Sequence, residues 1–173
     1  MKGSLANTFL MNTHSRIHRL AYEVAASLDQ YVSAHDFIFK ESATIISFLK
    51  NLFGRGVQME DLLSMVQPLK HDWERLLKEV HALKLKGVDS LSENESIYID
   101  LLQKYVQSVQ CAVLLLIDRQ QLVLDIKLNG SNGPSLTDLQ QMEAVYRNAV
   151  KEYVKIGGDL NRNAHLVAPW PRH

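Results

Sequence analysis

The sequence predicts an all-α protein, an antiparallel up-down-up-down four-helix bundle with long heptad-patterned helices. Three observations predict it. Apolar residues recur every seven positions in four separate stretches, as on the seam of packed helices. Short links rich in Gly, Asn and Ser separate the stretches and leave little room for crossovers. The alternation from Leu122 to Leu128 has no second alternating run to pair with, so a strand there would leave its backbone groups unmatched.

The first helix lies in a stretch from Thr13 to Phe53 that holds neither Gly nor Pro. Ile17, Val24, Tyr31, Ile38, Ile45 and Leu52 form one track, and Ala21, Leu28, His35, Ser42 and Leu49 its companion. Unbroken, it makes a rod of roughly 60 Å; a break near Ser33–Asp36 is the alternative. Gly54-Arg55-Gly56 turns the chain. The second helix, Val57 to Lys86, carries Leu62, Leu69, Leu76 and Leu83 beside Met59, Val66, Trp73 and Val80. Pro68 should bend it without shifting the heptad, and Gly87 ends it.

The third helix starts at a capping box, Ser92 with Glu95, and stops at Asn129-Gly130. Leu102, Val109, Leu116 and Val123 form one track; Tyr105, Ala112 and Ile126 form another, interrupted by Arg119. Its centre, Ala112 to Ile117, is apolar all round and calls for cover on more than one side. It is either the innermost helix or part of a subunit contact. A membrane span would need about 20 apolar residues, so no membrane insertion is expected. After the loop Asn129–Pro134, Ser135 and Asp138 cap a fourth helix. Its stripe is Leu139, Tyr146, Tyr153 with Met142, Ala149, Ile156, and Gly157-Gly158 should stop it. The chain thus divides into a flexible leader (1–12), a bundle (13–158) and a tail (159–173) packing through Trp170.

Composition narrows the partners. The 173 residues carry 19 Lys and Arg against 19 Asp and Glu, without the basic excess of a nucleic-acid binder. The first residues lack the apolar core of a secretory signal, and the lone Cys111 fits a reducing, cytoplasmic setting. Inside its apolar run, Cys111 reads as a small buried hydrophobe.

Few residues suggest chemistry. His14 and His18, four apart, share a helical face as two metal ligands would, with Tyr22 and Glu23 one turn on. No Glu is followed by His three residues later, which argues against a di-iron carboxylate bundle. His35 and Ser42 on the first seam, with Tyr31, Tyr105, Tyr146 and Tyr153, give more polar interior than packing needs and suggest a ligand pocket. The alternative for His35 and Ser42 is a register-setting polar pair. His81, Leu83 and Lys84 resemble the histidine phosphotransfer domains, helical bundles with an exposed phosphorylatable His. That resemblance implies His81 as phosphoacceptor with Lys84 offsetting phosphate charge. Leu85 stands where the family has a small residue, and Gly87 is displaced by two.

No nucleophile elbow, phosphate-binding glycine loop or paired Cys motif occurs. The leading expectation is a non-enzymatic adaptor, regulator or inhibitor acting through protein–protein contacts and self-associating as a homodimer, with no cofactor. A bundle binding a small molecule or metal is the alternative, and phosphotransfer the third.

Overall fold

The computed structural model describes the backbone of residues 3–39, 59–87 and 91–170. These form four helices: α1 (Gly3–Phe39), α2 (Met59–Gly87), α3 (Glu93–Asn129) and α4 (Leu136–Arg162). Cross-helix pairs fix an antiparallel arrangement. Arg75 meets Glu23 at 2.9 Å, while Arg19, one turn earlier on α1, meets Glu79, one turn later on α2, at 3.7 Å. Lys84 pairs with Asp100 across α2 and α3 at 2.7 Å, although its angles are not those of a hydrogen bond. Arg119 pairs with Glu143 across α3 and α4.

Both expected capping boxes form. Ser92 accepts from the Glu95 amide while the Glu95 carboxylate accepts from the Ser92 amide; Ser135 and Asp138 repeat the exchange. Gly130 ends α3 with φ +52°, a backbone angle that favours glycine. The second helix runs on through Pro68.

α3 is the innermost helix. Leu102, Val109, Leu116 and Val123 are buried, and so is the run Tyr98, Tyr105, Ala112 and Arg119. A third run, Ile99, Val106, Val113 and Gln120, is buried as well. One copy of the chain covers all three, so the apolar centre of α3 supplies no argument for a second copy. Cys111 falls between these runs and is exposed, contrary to the buried position its apolar neighbours suggest.

Two boundaries differ from expectation. α1 starts at Gly3, not Thr13, and is continuous through Ser33–Asp36 without the break considered there. Residues 40–58, with Ser42, the remaining predicted seam of the first helix and the Gly54–Gly56 turn, lie outside the described residues. α4 does not stop at Gly157-Gly158 but continues to Arg162. There Leu160, one heptad beyond Tyr153, is buried, and that burial outweighs the roughly 1 kcal/mol penalty of each helical glycine. The tail then folds back as a 3-10 turn, Ala164–Val167, with Val167 buried.

The companion track of α1 also differs. Ile17, Val24, Tyr31 and Ile38 are buried, but their buried partners are Thr13, Leu20, Ser27 and Ala34. Ala21, Leu28 and His35 are half-buried. The reason is the lean of α1 onto α2 and α3 and away from α4. Among the described residues, α1 and α4 meet through long aromatic side chains, and a gap opens where those are absent.

Candidate functional site

The gap is a pit of about 690 Å³ between α1 and α4. Ala21, Tyr22, Ala25 and Leu28 of α1 form one wall, and Gly157, Leu160 and Asn161 of α4 the other. Tyr98, Leu102 and Tyr105 of α3 form the floor. His18, Ala164 and Trp170 close one end. About one turn beyond Leu28, Tyr31 bridges to α4 through a 2.8 Å hydroxyl contact with Tyr146 and an edge-on contact with Tyr153.

Local sequence explains each part. Tyr98 and Tyr105 stand one heptad apart on the α3 track that faces α4. Gly157 lets that floor rise: a Cβ there would lie 2.9 Å from Tyr105 Cε2. Its neighbour Gly158 meets nothing nearer than the Arg162 side-chain tip at 3.6 Å. The closed end is built by His18. Its Nε2–H donates to the Val167 carbonyl at 2.7 Å, and its ring stacks on Trp170 at 4.5 Å. Since a carbonyl only accepts, that bond fixes the hydrogen on Nε2. Trp170 Nε1 donates back to the Ala164 carbonyl, tying the turn together.

Burial pushes the phenols of Tyr98 and Tyr105 up to about 12, so both stay protonated at neutral pH. Neither hydroxyl has a hydrogen-bond partner among the described residues.

Beyond the Tyr31 bridge the space between helices is filled. Phe39 stacks on Tyr146 at 5.7 Å, and the Arg119 guanidinium lies 4.6 Å over the Phe39 ring. Arg119 Nε donates to Glu143 at 2.5 Å, and the exposed Arg147 reaches the other Glu143 oxygen at 3.1 Å. Arg119, Gln120 and Glu143 are all buried. Gln120 accepts weakly from Arg119 at 3.4 Å, while its amide nitrogen has no partner among the described residues.

The predicted site residues are thereby distributed. Tyr31 and Tyr146 are bonded to each other, and Tyr105 lies in the pit. His35 is not on the inner seam: it is half-buried and bonds its own neighbour Asp36 at 3.1 Å. His14 and His18 meet edge-on at 4.3 Å, and His14 pairs with Glu95 at 3.3 Å. Burial alone would raise the Glu95 carboxyl, but hydrogen bonds from Ser92 and His14 hold it below the usual range. No group of three or more His, Cys, Asp or Glu able to hold a metal occurs among the described residues. His81 is exposed on α2, and Lys84 beside it is engaged with Asp100. Among the described residues, no helix is long and apolar enough to cross a membrane.

Sequence reasoning missed Tyr98, Leu28 as a pit residue, Gly157 and Leu160. Two signals were present: Tyr98 precedes Tyr105 by seven, and Leu160 follows Tyr153 by seven. No family model, curated protein or solved structure matches the chain.

Proposed function

We propose that this chain is a non-enzymatic, cytoplasmic binding protein that holds a small, mostly apolar molecule in the pit between α1 and α4. The observation that carries the reading is the pit itself. Its volume of about 690 Å³ lies within the range of small-molecule sites, and its lining is largely aliphatic and aromatic. The stretch of α1 that lines it, Ser15 to Leu28, spans about 20 Å at the helical rise. With one end closed by His18, Ala164 and Trp170, that length suits a compact molecule better than a docked helix, which needs an open trough.

An uncharged solvatochromic dye, Nile red, tests this. The parent protein should bind it saturably, one per chain. Ala25→Trp, which fills the pit from a wall position, should abolish that binding with helicity unchanged. Equal binding by parent and variant would refute the reading.

Contact with a protein partner or a second copy keeps separate support from Phe37 on α1, which is 57% exposed. Large apolar side chains scattered singly are ordinary on surfaces, so this support is weaker. Light scattering decides the second-copy version: a mass above one chain supports it, and a monomer at high concentration removes it.

A further inference from the structure

We infer that the ligand of the pit is an uncharged molecule with an apolar, ring-sized body and a hydrogen-bonding oxygen toward each end, read by the hydroxyls of Tyr98 and Tyr105. The inference rests on the pit being a binding site and adds what it selects.

The first observation is the state of the two phenols. Tyr98 and Tyr105 are 3% and 7% exposed, and both line the pit. Their rings are buried, but their hydroxyl oxygens are not among the fully buried atoms left unbonded, so each opens to the pit and takes water or a bound molecule as its partner unless the protein supplies one. Neither has one among the described residues. Tyr31 and Tyr146, equally buried a short way along the bundle, satisfy each other at 2.8 Å. The pit phenols are therefore the groups that a bound oxygen would complete. One heptad separates them, about 10 Å along the helix axis.

The second observation is charge. Among the described residues, the lining holds no carboxylate and no lysine. Its one permanent cation, Arg19, is already shared between Glu23 and Glu79. His18 donates its Nε2 hydrogen to Val167. An anion or cation entering the pit would lose water without gaining an unspent counter-charge, which is strongly unfavourable. A neutral oxygen meets no such cost.

The third is shape. Trp170 and Tyr98 set their rings at 67° with centroids 6.0 Å apart, and Leu102 and Leu160 supply aliphatic surface beside them. Rings and branched aliphatics of this kind suit a flat, apolar body.

Calorimetric titration with three probes of one size tests the inference: para,para′-dihydroxybiphenyl, biphenyl and biphenyl dicarboxylate. The diol should bind at least about tenfold more tightly than either other probe, as two modest hydrogen bonds allow. Tyr98→Phe and Tyr105→Phe should each weaken the diol about two- to tenfold and leave biphenyl unchanged. Biphenyl binding as tightly as the diol, the dicarboxylate binding most tightly, or a diol affinity untouched by both variants would overturn the ligand class. The dye separates the two levels. If Nile red binds and the diol does not, the ligand class is wrong and the pit stands. If neither the dye nor any probe binds, the pit reading is wrong and the inference goes with it.

Discussion

One track of α3 passes through two different environments. At its far end, Arg119 is locked into a packed layer with Glu143, Phe39 and Tyr146. At its near end, Tyr98 and Tyr105 face a pit and bond to nothing among the described residues. Both regions lie where α1, α3 and α4 converge, and both are polar islands in an apolar core. The first has the marks of architecture: long side chains from two or three helices fill the space and largely satisfy one another. The second has the marks of recognition: the tyrosine rings are buried, but their hydroxyls open onto space left between the helices. The contrast is set by residue size. Phe39, Tyr146 and Arg119 fill the interval between α1 and α4, whereas Ala21, Ala25 and Gly157 leave it empty.

The largest expected effect falls on the packed layer. Glu143→Leu strips the carboxylate from a buried guanidinium and should cost about 3–5 kcal/mol in urea unfolding. The joint change Arg119→Met with Glu143→Leu should recover most of it. A loss below about 1 kcal/mol for the single change would mean that the layer is not structural.

The two glycines of α4 sharpen the boundary of the pit. Gly157→Ala drives a Cβ against the Tyr105 ring and should destabilise by about 1–3 kcal/mol, after the manner of overpacking. Gly158→Ala has room and should stabilise by up to about 1 kcal/mol through helix propensity. Thermal unfolding of both variants checks the opposite signs.

Smaller still is the contrast between hydroxyls. Tyr31→Phe removes a bond and leaves Tyr146 unpaired, so about 1–2 kcal/mol should be lost. Tyr98→Phe and Tyr105→Phe remove hydroxyls that bond to nothing in the free protein, and stability should hold within about 0.5 kcal/mol. The same phenols set an alkaline limit. Their folded values of about 12 exceed the ordinary 10.0, so the folded state binds more protons between those limits. Their share of stability is whole below about pH 10 and drains as pH rises towards 12. Tyrosinate absorbance against pH measures it, and the double Phe variant should lose that part of the dependence.

The rods were legible in the sequence because burial repeats every seven residues. Two capping boxes and the Gly130 stop were legible because each uses local hydrogen bonds or a local backbone angle. What was not legible depends on which side of a helix its neighbours choose. On α1 both Ala21–Leu28 and Leu20–Ser27 lie beside the Ile17–Val24 track, and only the lean of the helix decides between them. Arg119 interrupts an apolar track, and its partner Glu143 lies on another helix with no fixed spacing to announce it. Gly157 reads locally as a stop; its role comes from a ring on α3 fifty-odd residues earlier. The pit was half visible: Tyr105 was singled out as a pocket residue, but with Tyr31 and Tyr146, which bond each other and do not line it.

The most direct test of the central claim is where a bound molecule touches the protein. Methyl-resolved nuclear Overhauser spectra of the dihydroxybiphenyl complex locate the ligand against individual leucines. The account predicts contacts to the methyls of Leu28, Leu102 and Leu160, which line the pit from three different helices. Contacts confined to exposed methyls such as those of Leu85 or Leu128, with none to those three, would contradict it.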